Sequence, residues 1–273
     1  DGATVGAAMS RHPDIQMMSF TGSTRAGVAI TRDAAETVKR VTLELGGKSP
    51  NLVFADCDLE ARVTASVQEC MFNTGQSCDA PTRLLVERSC YDAVLVIAKR
   101  AAEDIAVGDP AIEGDHIGPL FDQIQFDRVQ AMIKVGMDEG ATLLTGGLGK
   151  PEAVETGFFV KPTVFAYVSN QMRIAREEIF GPVLVIIPFD TEDEAIRIAN
   201  DTPYGLAAYV QTGSPDRAER VASRLRAGAV HINGAAFNYG SPFGGYKQSG
   251  NGREGGVMGL EDYLETKTIH VAQ

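Results

Sequence analysis

The sequence has no excess of basic residues. It holds 25 Lys and Arg against 36 Asp and Glu, a net charge of −11 at pH 7. Nucleic acids and anionic membrane surfaces attract basic patches, so this balance argues against both as partners. Long apolar runs are missing as well: none approaches the roughly 20 residues of a membrane span, and no signal-peptide pattern stands at the start. These absences predict a protein that binds neither nucleic acid nor membrane.

Cysteine and histidine are scarce, with four of each. The cysteines form no C-x-x-C pair, and with so few histidines as co-ligands no metal site is expected. Four cysteines could form two disulfides, but a chain of this length does not need them, which favours a reduced, cytoplasmic setting. A reduced setting leaves a thiol free to act as a nucleophile.

A chain of 273 residues has room for one large domain or two modest ones around a sizeable core. The first residue is Asp1 rather than Met, and the residues after it already resemble a glycine-containing helix. We therefore expect the sequence to be part of a longer protein. For the same reason, the missing signal peptide says little about that protein.

Helix-like and strand-like segments alternate along the chain, which predicts α/β architecture. The continuous apolar run at residues 183–189 is typical of a strand buried on both faces. Further strands are predicted at residues 15–20, 41–45, 51–54, 83–87, 228–233 and 267–271. Helices are predicted at residues 25–38, 59–73, 91–105, 123–139, 192–200 and 215–226. Polar residues at 146–157 predict a loop, and the dense glycines of residues 234–259 predict a long functional loop.

A carboxylate ends one of the predicted strands, in the sequence Glu-Leu-Gly-Gly-Lys-Ser-Pro-Asn of residues 44–51. Because two glycines follow closely, Glu44 can project into a cleft with little obstruction from neighbouring side chains. A surface Glu before an ordinary turn is the alternative. This segment alone does not decide between the two.

A cysteine lies between a glycine-bearing turn and a proline, in Phe-Asn-Thr-Gly-Gln-Ser-Cys-Asp-Ala-Pro of residues 72–81. A thiol in a loop can be exposed enough to react, and nearby backbone N–H groups can stabilise its thiolate. The alternative is a small buried hydrophobe, which suits Cys57, Cys70 and Cys90 better than Cys78.

Five motifs stand together and in order: Phe-Thr-Gly-Ser-Thr at 20–24, the segment at 44–51, Gly-Gln-Ser-Cys at 75–78, Glu-Ile-Phe-Gly-Pro at 178–182 and Pro-Phe-Gly-Gly-Tyr-Lys at 242–247. Glu44 and Cys78 are separated by 34 residues (78 − 44 = 34). In these motifs and in this spacing the chain resembles the aldehyde dehydrogenase superfamily along its whole length. The resemblance implies an α/β fold that combines the catalytic domain of that family with a remnant of its Rossmann-like cofactor domain.

The resemblance implies that Cys78 is the nucleophile and Glu44 the general base. The Cys78 thiolate would attack the aldehyde carbon to form a thiohemiacetal, with its own backbone N–H as one oxyanion donor. Hydride transfer to NAD or NADP would leave a thioester, which water activated by Glu44 would hydrolyse to a carboxylic acid. Partial burial would raise the pKa of Glu44 toward working pH. Glu254 resembles a second carboxylate that relays protons to this base, with a surface charge as the alternative.

The cofactor contacts are implied by four of the motif residues. Gly22 and Ser23 open a helix whose N–H groups and dipole can hold a pyrophosphate, although Ser23 also suits a simple N-cap. By resemblance, Glu178 hydrogen-bonds the nicotinamide ribose and Phe180 packs against the nicotinamide.

Further contacts are implied outside the motifs and in the glycine-rich segment. Gln125 and Arg128 lie at i and i+3 of one predicted helix and match positions that contact the adenosine ribose. Arg128 stands where Lys is frequent in the family, so a solvated face fits it equally well. Phe237 and Phe243 match aromatic positions that line the aldehyde tunnel.

The resemblance also divides the chain. Residues 1–46 would be the end of an NAD(P)-binding domain, residues 47–255 the catalytic domain, and residues 256–273 a return segment with an oligomerisation strand, implying a homodimer or homotetramer. Members of the family carry a long upstream part that completes the cofactor domain and the oxyanion hole. Two alternatives stay open: a folded module without activity of its own, and an acylating relative that depends on coenzyme A, against which Glu44 argues.

Overall fold

The computed structural model describes residues 1–273 apart from residues 153 and 155, and it divides the strands between two sheets. The strands are β1 Met17–Thr21, β2 Arg40–Glu44, β3 Pro50–Val53, β4 Arg83–Glu87, β5 Thr142–Thr145, β6 Thr163–Ala166, β7 Val183–Phe189, β8 Ala207–Gln211, β9 Ala229–Ile232 and β10 Gly250–Asn251. The helices are α1 Ala7–Arg11, α2 Thr24–Ala35, α3 Leu59–Met71, α4 Tyr91–Glu103, α5 Gln123–Asp138, α6 Arg173–Arg176, α7 Glu192–Asn200, α8 Pro215–Ala222 and α9 Gly256–Glu261. None of these helices is long and apolar enough to span a bilayer, a finding limited to the described residues.

The smaller sheet has the order β1-β2-β10. β1 and β2 are parallel and end together, with Thr21 opposite Glu44, while β10 runs antiparallel and places Gly250 opposite Glu44. Glu44 therefore stands at the carboxyl edge of a parallel pair. In open α/β sheets this edge is where ligands bind.

The larger sheet has the order β5-β6-β7-β4-β3-β8-β9, and only β5 pairs with its neighbour in antiparallel fashion. Its central strands are buried on both faces, as the apolar run of β7 predicted. One face packs against α5, α7 and α8, and the other against α3 and α4. Alternate residues divide between these two cores: Leu52 lies in the first and Val53 in the second.

Arg83 is a fully buried charge at the start of β4. Its Nε donates to Lys48 O at 2.9 Å, and its two terminal nitrogens donate to Asn170 Oδ1 at 2.9 Å, Ile198 O at 3.1 Å and Ala199 O at 2.9 Å. Burial lowers its pKa to about 9. The guanidinium therefore joins the segment after Glu44 to α7 through acceptors that have no access to water.

Replacing Arg83 by Leu is expected to lower the free energy of unfolding by about 3–5 kcal/mol, because several buried acceptors lose their donor at once. Chemical denaturation of the variant and the wild type measures the difference. Arg88→Leu is the matched control, since Arg88 pairs with Asp190 on the surface and its loss should matter far less. Equal losses in the two variants would contradict the role given to Arg83.

The structure departs from the predicted elements in several places. β5, β6, β8 and α6 were not predicted, α2 ends at Ala35 rather than at residue 38, and α8 ends at Ala222 rather than at residue 226. In the predicted loop at 146–157, residues 153 and 155 lie outside the described residues. The glycine-rich segment is not entirely loop, because it contains β10 and the start of α9.

Two features at the end of the chain bear on its predicted division. β10 already joins the smaller sheet at Gly250–Asn251, five residues inside the range assigned to the catalytic domain (255 − 250 = 5). Residues 264–273, all of them described, are exposed and form no strand within the single chain. A strand needs a hydrogen-bonded neighbour, which the resemblance assigns to a second subunit, so the strand at 267–271 stays a prediction.

Candidate active site

Cys78 lies in the turn between a short 3-10 helix, Phe72–Gly75, and β4. Gly75 has a φ of 70°, and a Cβ there would lie 2.1 Å from Gly181 O. Only glycine accommodates both the left-handed backbone and this close approach. The turn that carries Cys78 therefore packs directly against the backbone that follows Glu178.

The Cys78 thiol is partly buried, and its pKa is raised to about 12. Burial is the largest cause, followed by the negative charges of Asp79 and Glu178, while a backbone hydrogen bond acts in the opposite direction. The expected stabilisation by a backbone N–H is therefore opposed by burial and by neighbouring negative charge.

Glu44 is buried, with 4% of its surface exposed, and neither carboxylate oxygen has a hydrogen-bond partner among the described residues. Its pKa is raised to about 8, first by burial and next by the charge of Glu254, against a lowering by Arg253. The expected elevation by burial is present. A carboxylate with such a pKa can accept a proton near neutrality.

The buried, unpaired carboxylate should weaken the fold at high pH. Because the folded pKa of Glu44, about 8, exceeds its ordinary value of 4.5, the folded state binds more protons between these pH values, and stability falls as pH rises through that window. Glu44→Gln is therefore expected to raise the free energy of unfolding above pH 8 by about 2–4 kcal/mol and to change it little near pH 4. Denaturation at both pH values measures this, and an equal effect at both would contradict it.

The glycine-rich segment encloses Glu44. A Cβ on Gly244 would lie 2.6 Å from Glu44 Oε1, so the loop passes directly over the carboxylate. The buried Ser249 fixes the loop, donating from Oγ to Gly46 O at 2.7 Å and accepting from Gly205 N–H at 3.0 Å. Its carbonyl accepts from the amide that follows Glu44 at 2.9 Å.

Gly46 and Gly47 bring the candidate residues together. Gly47 N–H donates to Glu178 Oε1 at 3.2 Å, and a Cβ on Gly46 would lie 2.0 Å from Glu178 Oε2. A Cβ on Gly47 would lie 2.4 Å from Cys78 O. The backbone after Glu44 is therefore in contact with both the Glu178 carboxylate and the Cys78 turn, which only glycines allow.

Lys48 is a component of this site that the sequence analysis missed. Its side chain is buried, and its Nζ has no hydrogen-bond partner among the described residues. Burial, and next the charge of Arg83, lower its pKa to about 7. Its positive charge in turn lowers the pKa of Glu178, which burial raises. No sequence rule would have indicated it, because a lysine in a turn is normally expected at the surface.

The predicted pyrophosphate site lies at the same sheet edge. The Ser23 side chain is exposed and caps α2, accepting from Ala26 N–H at 3.3 Å. Gly22 N–H donates to Glu44 O at 3.0 Å, so it is not free for a phosphate. Ser23 is therefore the N-cap of α2. The phosphate contact at the exposed N-terminus of α2 remains a prediction.

Gln125 and Arg128 of α5 hydrogen-bond the backbone of residues 178–180, which we call the cofactor segment. Gln125 is buried, and its Nε2 donates to Ile179 O at 2.9 Å and to Phe180 O at 2.8 Å. Arg128 is exposed and donates to Glu178 O at 2.8 Å. Their predicted contact with an adenosine ribose stays a prediction.

Three aromatic side chains of the glycine-rich segment lie close together. The Phe237 and Phe243 ring centroids lie 5.8 Å apart, and Tyr239, which the sequence analysis missed, lies 5.0 Å from Phe237. Phe243 and Glu254 exchange two backbone hydrogen bonds of 2.7 Å, and the Glu254 side chain is exposed. The structure thus places the predicted tunnel residues next to the carboxylate that raises the pKa of Glu44. Within the described residues, no group of three or more His, Cys, Asp or Glu could hold a metal ion.

Known proteins resemble this chain in sequence. The sequence model described as the aldehyde dehydrogenase family matches residues 1–269. The chain belongs to the aldehyde dehydrogenase family. It is 54% identical over 269 residues to a 3-succinoylsemialdehyde-pyridine dehydrogenase from a Pseudomonas species, covering 98% of this chain and 56% of that protein.

Solved aldehyde dehydrogenases have the same fold. The enzyme from Bartonella henselae superposes with a TM-score of 0.96 at 52% identity, over 98% of this chain and 56% of that one. A mutant of aldehyde dehydrogenase C from Pseudomonas syringae, in complex with NAD+ and octanal, superposes with a TM-score of 0.96 at 54% identity, over 98% and 55%. The chain thus spans about half the length of the relatives it matches, and its α/β fold is that of the family.

Proposed function

We propose that the protein carrying this chain oxidises an aldehyde to a carboxylic acid, with NAD or NADP as hydride acceptor. The observation that supports this most strongly is the meeting of Cys78, Glu44 and Glu178 around two glycines at the carboxyl edge of the smaller sheet. The Pseudomonas syringae relative was crystallised with NAD+ and octanal, which agrees with this proposal.

The residues present fit a nicotinamide cofactor. Glu178 has a carboxylate fixed by Gly47 N–H, suited to ribose hydroxyls, and the half-buried Phe180 offers a ring face to a nicotinamide. The exposed start of α2 at Ser23 suits a pyrophosphate. When bound there, NAD(P) accepts the hydride that the oxidation releases.

Cys78 forms the covalent intermediate, and Glu44 serves its hydrolysis. The Cys78 sulfur bonds to the aldehyde carbon while its proton passes to the aldehyde oxygen, and the Cys78 backbone N–H stabilises the developing negative charge. Loss of a hydride and a proton turns this thiohemiacetal into a thioester. Glu44 then removes a proton from water as it attacks the thioester and returns that proton to the departing sulfur, which releases the acid and restores the thiol. Glu254 passes to solvent the proton that was lost in the oxidation step.

The test is incubation of the purified protein with a panel of aldehydes and NAD or NADP, with the acid product followed by chromatography. Acid should form without coenzyme A. An absolute requirement for coenzyme A would overturn this proposal in favour of the acylating alternative, in which the thioester passes to another thiol.

A folded module that binds no cofactor is the second candidate, because the chain covers little more than half of its relatives. Calorimetric titration with NAD separates the two. Saturable binding supports the dehydrogenase, whereas binding that is absent at millimolar NAD supports the module.

We also propose an oligomeric state and a cellular compartment for this protein. Residues 256–273 carry exposed apolar side chains, including Val257, Ile269 and Val271, which suit pairing with a second subunit in a homodimer or homotetramer. All four cysteines are free, as a nucleophilic thiol in a reduced, cytoplasmic setting requires.

A further inference from the structure

Three consecutive carbonyl groups of the cofactor segment are bound by side chains of one helix. From α5, Arg128 donates to Glu178 O, and a single Gln125 nitrogen donates to both Ile179 O and Phe180 O. The carbonyl groups of residues 178–180 therefore find side-chain donors on α5. The Gln125 bonds are the buried ones, with 5% of that residue exposed.

The segment needs this support because Phe180 has a left-handed backbone, with a φ of 56°. Residues other than glycine rarely adopt this region, and they remain in it only where the surroundings enforce it. The Gln125 amide fixes the carbonyls on both sides of the Phe180 Cα. Gln125 is itself held at the start of α5, where its N–H donates to Asp122 Oδ1 at 2.7 Å.

The next residue connects the segment to the nucleophile. Gly181 lies between α5 and the Cys78 turn: a Cβ on it would be 2.6 Å from Val129 Cγ2, and its carbonyl oxygen lies against Gly75. A shift of residues 178–181 relative to α5 would therefore move Phe180 with respect to Cys78.

We propose that Gln125 is a positioning residue that holds the Phe180 ring, and with it the nicotinamide, in register with Cys78. This inference rests on the proposed dehydrogenase function and gives Gln125 a role beside the adenosine contact that the resemblance implies for it. Both N–H groups of its side-chain amide already donate to Ile179 O and Phe180 O.

The test compares Gln125→Leu with Gln123→Leu, a control on the same helix whose side chain is exposed and bonds only to Asp127. Gln125→Leu should raise the half-saturating NAD concentration and lower the dehydrogenase kcat, together by about tenfold, since one or two hydrogen bonds are lost. Hydrolysis of an activated ester without NAD, which needs only Cys78 and Glu44, should stay within about twofold, as should both activities of the control.

Gln125→Glu gives a second readout that a purely structural role would not produce. An ionised carboxylate would face two carbonyl oxygens, whereas a protonated one can donate to one of them. Its dehydrogenase activity, as a fraction of the wild-type activity at each pH, should therefore recover as pH falls.

Several results would overturn the inference. Unchanged NAD saturation in Gln125→Leu, a loss of ester hydrolysis as large as the loss of dehydrogenase activity, or a pH-independent defect in Gln125→Glu would each do so while the proposed function stands. A wild-type protein that reduces no NAD with any aldehyde would instead remove the proposed function and this inference with it.

Discussion

Replacing Cys78 by Ala should reduce aldehyde oxidation by at least about 10⁴-fold, because the reaction loses the only group that bonds to the aldehyde carbon. The other thiols are not expected to substitute, because Cys70 and Cys90 are buried and Cys57 packs against the core that α3 and α4 cover. The initial rate of NADH formation with a good aldehyde measures the effect.

Cys57→Ser is the matched control for this substitution. Its thiol is partly buried against the core that α3 and α4 cover, with a pKa raised to about 11. Its activity should remain close to that of the wild type. Oxidation by the Cys78→Ala protein at more than about a hundredth of the wild-type rate would contradict nucleophilic catalysis by Cys78.

Replacing Glu44 by Gln should lower steady-state turnover by about 10²–10⁴-fold, because hydrolysis of the thioester loses its base. In the wild type, turnover should rise with pH through about 8, since only the ionised carboxylate accepts a proton and burial raises its pKa to about that value. The variant should lose this rise. Rates measured across this pH range for both proteins test the assignment.

Glu113→Gln provides the control, because Glu113 is exposed in the loop between α4 and α5. It should keep both the wild-type rate and the wild-type pH profile. If Glu44→Gln retained the rise near pH 8, another group would have to be the base.

Sequence patterns predicted the strands whose side chains are apolar along the whole element or along its centre. β7 was foreseen because a strand covered on both faces is apolar throughout, and β4 because its apolar residues are bounded by polar ones. β8 was missed because its sequence, Ala-Ala-Tyr-Val-Gln, begins with two alanines, which are depleted in strands, and its central position comes from pairing with β3 and β9. The strand expected at 267–271 forms no pairing within the described chain and stays a prediction for the contact with a second subunit.

The residues of the candidate site that belong to family motifs could be predicted from the sequence. Residues whose role depends on their packing in the folded chain could not. Cys78, Glu44 and Glu178 were named from motifs, and the structure brings them around Gly46 and Gly47. The buried cations Arg83 and Lys48 were not foreseen, because charged residues are expected at the surface. The contacts of Gln125 depend on a segment more than fifty residues away in sequence (179 − 125 = 54), which no local pattern reveals.

The most direct test of the mechanism is the intact mass of the Glu44→Gln protein after mixing with an aldehyde and NAD. Because this variant should form the thioester faster than it hydrolyses it, we expect the mass to increase by one acyl group, located on Cys78 by peptide mapping and absent when NAD is omitted. An acyl group on another residue, or no adduct while NADH and acid are still produced, would contradict a thioester on Cys78 that Glu44 hydrolyses.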